Sequence, residues 1–465
     1  MRQTFPHGET GLFYEKDPMP AIPRAPRPED IDVTDQDLPH RLHCVLEAGR
    51  LELAHDGDPG SGTALFGFAE RINPRRAFLF VSRVLGRHIP VAPSRMRAAF
   101  TALAEGVPDD LPGPVLMTGM AETAVGLGAG VHDAYITRTG RDDVVYLATT
   151  RARLEAPLMA AFREEHSHAS HHLLHEPQHA HDRDKVARAR SLVMVDDEAS
   201  TGNTFRNLAA ALMAPPGGKA GSGLPDLIHV HTAVLTDWSH RQGLSVLPVA
   251  AGPDIVQTAS SLLRGGFAWH ARAGAPQRAL PDADLPRRAS LLPIRRADDA
   301  RLGRSVRSVA AIPDGLLNSL GGTPGTILVL GSGEHVWEPF LLAEALERAG
   351  HTVLFSATTR SPILAGHAIA SGYVFADHEG LCITNYLYNV DPAQVSRIIL
   401  CVDTAADTPD PRLLRALAPD LVVCGVLHDR HMIAAKVAGA APATRFFAPR
   451  SVPDAETNPL TGALS

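Results

Sequence analysis

The stretch LVMVDDEASTGNT, residues 192–204, limits the fold more than any other part of the chain. Its unbroken apolar run reads as a strand buried on both faces, the habit of strands inside a parallel sheet. The run stops at two adjacent acids, Asp196 and Asp197. A turn of small residues then leads into TFRNLAAALMA, whose apolar spacing is helical. A strand, a tight turn and a helix in that order form half of a strand–helix–strand crossover, so further parallel strands must lie beside it.

The rest of the chain supplies them. RAFLFVSRVL (76–85), GPVLMTGM (113–120), DVVYLATTR (143–151) and DLIHVHTAVLTDW (226–238) read as strands, while Met96, Phe100 and Leu103 mark a helix over 93–106. Residues 271–324 are rich in Pro, Arg, Ala and Asp and read as a linker with some helix. A second strand–helix alternation then begins at GTILVLGSGEHV and continues through EPFLLAEALERAG, HTVLFSATTRSP, RIILCVD and DLVVCGV. The expected organisation is an irregular arm over 1–40, an α/β domain over 41–270, the linker, a second α/β domain over 325–450 and a tail over 451–465. A chain of 465 residues is long enough for each domain to bury its own core.

Charge narrows the function classes. Lys and Arg number 44 against 51 Asp and Glu, a net charge of -7, which argues against a chiefly electrostatic nucleic-acid or membrane binder. No apolar run reaches the roughly 18–20 residues of a membrane span, and the N-terminus lacks the pattern of a signal peptide. The four cysteines, Cys44, Cys382, Cys401 and Cys424, have no paired spacing of zinc or redox sites. The expectation is a cytoplasmic protein.

The turn after the strand has its own chemistry. Two carboxylates at a strand end can accept hydrogen bonds from the neighbouring hydroxyls of a ribose. The backbone N–H groups of Ala199, Ser200, Thr201, Gly202 and Asn203, with the hydroxyls of Ser200, Thr201 and Thr204, can surround a phosphate at the helix N-terminus, where unpaired donors favour an anion. Gly202 permits the sharp turn. A capped helix start would use similar residues, but it would not require an acid pair two residues upstream.

Between Glu164 and His181 lie seven histidines: His166, His168, His171, His172, His175, His179 and His181. His168, His172 and His175 share a face if the segment is helical. The stretch can act as a lid that offers donors to phosphate, as a solvated loop, or as a transition-metal site, although no cysteine or fixed ligand spacing accompanies it.

The order of strand, acid pair, spacer and hydroxyl-hydroxyl-glycine resembles the phosphoribosyl pyrophosphate motif of type I phosphoribosyltransferases. SRVLGRHIPV (82–91), EEHSHAS (164–170), VDDEASTGNT (195–204) and the distant TTRSP (358–362) occur together. As a set they resemble phosphoribosyltransferases with a C-terminal TRSP domain, found with tellurite-resistance gene clusters. The resemblance covers residues 40–450.

It implies a type I phosphoribosyltransferase-like parallel sheet with flanking helices, followed by the TRSP α/β domain. It also implies transfer of ribose 5-phosphate from phosphoribosyl pyrophosphate to a base-like nitrogen of a small-molecule acceptor, with Mg2+, in a nucleoside-like metabolite pathway. The acceptor is expected near residues 61–91 and 231–270, and assembly into a homo-oligomer is compatible with the family. Asp196 and Asp197 would hold the ribose, with Asp197 near the anomeric carbon.

Residues 118–123, including Thr118, Gly119 and Met120, occupy the place of the family's pyrophosphate loop, or else form a plain strand-to-helix turn. A mobile loop would fall between Arg151 and Ser191, with Arg151, His166 and His168 as further substrate contacts. Glu198 departs from the pattern, because an apolar residue usually follows the acid pair. The TRSP opening loop, GSGEHVWEP, also departs, with Glu334 followed by His335 where two adjacent acids are usual. Thr359, Arg360 and Ser361 are candidates for a second ligand site or a structural turn.

Two rival readings come from other classes. One is a non-catalytic sensor of phosphoribosyl pyrophosphate, which would need a nucleic-acid surface. Its one candidate is the linker arginines, Arg287, Arg288, Arg295, Arg296, Arg304 and Arg307, more simply read as a solvated connector. The other makes the TRSP half the enzyme and the first half its substrate-binding partner.

Overall fold

The computed structural model describes residues 38–437 other than 59, 74–75, 164–170, 214–222, 240–254, 277–299, 306–313, 323, 382, 405–406 and 428–430. The expected arm and tail, except residues 38–40 of the arm, lie outside these residues, as do His166 and His168 and all the linker arginines named above except Arg304.

The first domain opens with an antiparallel pair, β1 (His40–Val45) and β2 (Gly49–His55), then a short helix α1 (Ser61–Leu65). β3 (Phe66–Glu70) and β4 (Phe78–Ser82) form a separate antiparallel ribbon. The strand read from RAFLFVSRVL therefore lies outside the main sheet. After α2 (Pro93–Glu105) come β5 (Val115–Gly119), α3 (Ala124–Thr139) and β6 (Val144–Ala148). A hairpin of β7 (Leu158–Arg163) and β8 (His171–His175) precedes α4 (Ala180–Ala187), β9 (Ser191–Ala199), α5 (Asn203–Met213), β10 (His229–Asp237) and β11 (Val256–Ala271).

The main sheet runs β1-β2-β11-β10-β9-β5-β6, parallel from β11 to β6, with β2 antiparallel to β11. Every residue of β5 and β6 is buried, as expected where helices cover both faces. In α3, a Cβ on Gly130 would lie 2.2 Å from the Phe100 ring, so the glycine lets α3 and α2 pack closely.

The second domain comprises α6 (Asp314–Gly321), β12 (Thr326–Gly331), α7 (Trp337–Arg348), β13 (Thr352–Ala357), the hairpin β14 (Gly372–Ala376) and β15 (Thr384–Tyr388), β16 (Arg397–Val402), α8 (Pro411–Leu417), β17 (Asp420–Leu427) and β18 (His431–Val437). Its sheet is ordered β13-β12-β16-β17-β18, parallel except for β18.

One apolar core runs through both domains. Phe100 of α2 meets Phe340 of α7 edge-on at 5.2 Å, and Phe340 stacks on Trp337 at 5.3 Å. Burying each such ring stabilises the junction by roughly 1.5–3 kcal/mol. The backbones of Val91 and Phe355 pair across the same seam, at 2.8 and 3.0 Å.

Two expectations are corrected here. The His171–His175 segment is a strand, so His172 and His175 fall on opposite faces rather than on one helical stripe. His172 stacks on Phe162 at 4.6 Å, and that apolar pairing across the hairpin favours the strand over the helix. Arg304 is not solvated. Its side chain is 9% exposed, its Nη2 donates to Glu338 Oε1 at 2.8 Å, and its backbone pairs with Tyr146. A partner carboxylate makes its burial tolerable.

Candidate active site

The central strand β9 runs two residues past the acid pair, so Asp196, Asp197 and Glu198 all lie within its C-terminal end. Gly119 of β5 pairs in register with Val195 of β9 and with Ala148 of β6. One residue beyond that register come Asp196, Met120 and Thr149. The ends of three adjacent parallel strands thus form a single edge, the place where open α/β sheets bind ligands.

Asp196 and Asp197 are partly exposed, and the Asp197 N–H donates to Asp196 Oδ1 at 2.9 Å. Burial, and then the charge of Glu198, push the Asp197 carboxyl up to about 6. The chain next turns through Gly202, whose φ is 68°. Ser200, Asn203 and Thr204 are partly exposed and Thr201 is exposed, ahead of α5. The first N–H groups of that helix lack partners within it and face an anion well. Ala199 is buried, and its carbonyl accepts from the Trp238 N–H at 2.7 Å. Arg206, which the sequence reading passed over, braces the turn by donating from Nη2 to the Thr201 carbonyl at 3.1 Å and to Asn203 Oδ1. Its position in the first turn of the helix was the available signal.

Glu198 pairs with a second residue absent from the expectations. Arg76 Nη1 lies 2.7 Å from Glu198 Oε1, and the guanidinium sits over the Phe78 ring at 4.8 Å and the Phe80 ring at 5.7 Å. Trp238 stacks on Phe80 at 4.7 Å, and Phe267 meets Phe78 at 5.2 Å. Among the described residues, Arg76 Nε and Nη2, Glu198 Oε2 and Trp238 Nε1 are buried without a hydrogen-bond partner.

The loop after β5 is fastened on all sides. The side chains of Thr118 and Met120 are buried, and the Met120 N–H donates to the Val195 carbonyl at 3.1 Å. Gly119 accepts from the Thr149 N–H at 3.0 Å, and the Ala121 N–H donates to Thr149 Oγ1 at 2.8 Å. The peptide from Ala121 to Glu122 is cis. Arg151 is buried. Its Nη2 donates to the Ala121 carbonyl at 3.0 Å and its Nη1 to the His171 carbonyl at 3.1 Å, which places the guanidinium against the loop.

The TRSP-like loop reaches the same place from the other domain. Thr359, Arg360 and Ser361 are buried, and Glu122 Oε2 accepts from the Arg360 N–H at 3.2 Å and from Thr359 Oγ1 at 3.4 Å. The Ser361 N–H donates to Thr359 Oγ1 at 3.1 Å. The Arg360 guanidinium pairs with Glu379 at 3.0 Å, within a buried group that also holds Arg301, His378 and Asp403. Arg87 completes the tie. Its Nη1 donates to the carbonyls of Gly333 at 2.6 Å and Thr358 at 2.7 Å, and its Nη2 to the Glu122 carbonyl at 2.6 Å.

Among the described residues, no group of three or more His, Cys, Asp or Glu side chains could hold a metal ion by itself. No described helix is long and apolar enough to cross a membrane.

Residues 65–265 match the family model described as phosphoribosyl transferase, and residues 294–417 match the TRSP domain that lies C-terminal to it. A comparison with curated proteins gives no match. Among solved structures, the chain is similar to an adenine phosphoribosyltransferase from Rhodothermus marinus DSM 4252. That match has 15% identity and a TM-score of 0.24, over 37% of this chain and 80% of that one. It is also similar to an adenine phosphoribosyl transferase from Trypanosoma brucei in complex with AMP, pyrophosphate and ribose-5-phosphate. Here identity is 11% and the TM-score 0.26, over 41% of this chain and 72% of that one.

Proposed function

Because the chain belongs to the phosphoribosyltransferases with a C-terminal TRSP domain, and is a pentosyltransferase on that ground, we propose that it uses the edge of β9, β5 and β6 to transfer ribose 5-phosphate from phosphoribosyl pyrophosphate to a nitrogen of a base-like acceptor. The observation that carries this reading is the end of β9, where two partly exposed carboxylates are followed by a left-handed glycine turn and a helix N-terminus.

Asp196 and Asp197 accept hydrogen bonds from the ribose hydroxyls, and residues 200–204 take the 5-phosphate. The loop over 118–123, with Arg151 behind it, faces the diphosphate. Charge grows on the sugar ring as the C1–oxygen bond breaks, and the Asp197 carboxylate opposes it. The acceptor nitrogen forms the new bond to C1 and the diphosphate leaves with the electron pair. The donor set fits magnesium, which keeps several waters and takes one or two carboxylates together with substrate phosphates. When bound, it would neutralise the leaving diphosphate.

The acceptor lies beside Glu198 and Arg76, under the rings of Phe78, Phe80, Trp238 and Phe267. Flat rings and buried polar atoms without partners suit a planar nitrogen heterocycle. Its product would enter a nucleoside-like metabolite pathway.

Calorimetric titration with phosphoribosyl pyrophosphate and magnesium tests the donor site. Wild-type protein is expected to bind, and Asp196→Asn with Asp197→Asn is expected to lose that binding while keeping a cooperative melt. Equal affinity in the double variant would reject the assignment.

A further inference from the structure

Glu334 is the single acid of the GSGEHV loop, and its side chain is 4% exposed. Its carboxylate faces out of its own domain. Oε2 accepts from Thr150 Oγ1 at 2.5 Å, and Oε1 accepts from the Arg151 N–H at 2.7 Å. The segment it holds joins two parts of the first domain, the loop at Ala121 and the histidine hairpin. Thr149 Oγ1 receives the Ala121 N–H, and Arg151 Nη2 holds the Ala121 carbonyl. Thr150 pairs through its backbone with Leu173 of the histidine hairpin, at 2.8 and 2.9 Å.

We propose that Glu334 is a positioning residue of the donor site, holding the Thr150–Arg151 segment, and through Arg151 the loop at Ala121, in the arrangement that receives the diphosphate. This rests on the transferase reading of that loop. The TRSP domain then supplies part of the donor-site scaffold, besides any ligand of its own.

The chemistry supports a precise hold. A buried carboxylate costs several kcal/mol to desolvate unless its oxygens are well met. Here each oxygen meets one donor of the segment, and the Arg301 guanidinium stands 3.7 Å away. Two hydrogen bonds to adjacent residues fix the direction of the chain as well as its place, and displacements near 1 Å in positioning groups can cost about a hundredfold in rate. The second tie, from Arg87 and Arg360 to Glu122, fixes the other side of the Ala121 peptide but leaves Arg151 untouched. Glu334 therefore holds the Arg151 side by direct hydrogen bonds and reaches the second tie only through the charges of Arg87 and Arg360.

The test separates ligands that carry a diphosphate from one that does not. Ribose 5-phosphate engages the end of β9 and the turn at 200–204, whereas phosphoribosyl pyrophosphate and pyrophosphate also require the loop at Ala121. Titrations with all three, in magnesium, compare wild type with Glu334→Gln, which keeps the shape and one acceptor oxygen. The expected result is at least a tenfold loss of affinity for the two diphosphate ligands, with ribose 5-phosphate within twofold of wild type. Thr150→Val removes one donor to the same carboxylate and should show the same selective loss, so it decides the matter if the Glu334 variant does not fold. Unchanged affinities, or an equal loss for all three ligands, would overturn the proposal. Wild-type protein that binds none of them would remove the transferase reading itself and this proposal with it.

Discussion

Asp197 concentrates the electrostatics of the site. Its carboxyl titrates at about 6 against an ordinary value of 3.8, mainly through burial and then through Glu198. In the proposed reaction only the ionised form can oppose the growing charge. The acid limb of kcat/KM should therefore have its midpoint near pH 6. Glu198→Gln removes the like charge but not the burial, so the limb should move to lower pH without reaching 3.8. A pH–rate profile of both proteins checks this, and an unmoved limb would exclude Glu198 as a cause. Stability carries the opposite sign. Because the folded value lies above the unfolded one, stability from this group is full below pH about 4 and falls as pH rises through about 6. Asp197→Asn should therefore melt higher than wild type at pH 7 and close to it near pH 4. Thermal melts at the two pH values read the difference.

At the scale of elements, the turn between β9 and α5 stands or falls with Gly202. A side chain at φ 68° costs roughly 1–2 kcal/mol, and relieving it would turn the N–H groups away from the phosphate. Gly202→Ala is expected to weaken ribose 5-phosphate binding about tenfold or more and to lower Tm by only a few degrees, measurable by calorimetry and melting. This element was legible in the sequence because its signals are local: an apolar run, two acids, small residues and a helical spacing, all within residues 191–213. The hairpin of β7 and β8 was not. Histidines three and four residues apart imitate a helix face, and what makes a strand of them is pairing with residues 158–163. Nor was the burial of Arg76, Arg87 and Arg304 legible, since their partners lie 122, 35 and 34 residues away. A charged residue reads as solvated until its partner is known.

The molecule as a whole is held by an apolar seam and a buried ionic network over the same loops. Arg87 is the clearest member, with a side chain 3% exposed and acceptors from both domains. Arg87→Ala would remove the counter-charge of Glu122 and leave three carbonyls without their donor. The expected loss is about 3–5 kcal/mol, seen in scanning calorimetry as a clear drop in Tm, and a melt within a degree of wild type would refute the network's weight. The TRSP loops hold the edge proposed to receive the donor, and on that proposal both domains belong to one catalytic unit. The most direct measurement is acceptor-dependent release of pyrophosphate from phosphoribosyl pyrophosphate and magnesium, across a panel of planar nitrogen heterocycles. The expected result is release by wild type with at least one acceptor, and none by the Asp196→Asn, Asp197→Asn variant. Release that is equal in the two proteins, or absent with every acceptor, would contradict it.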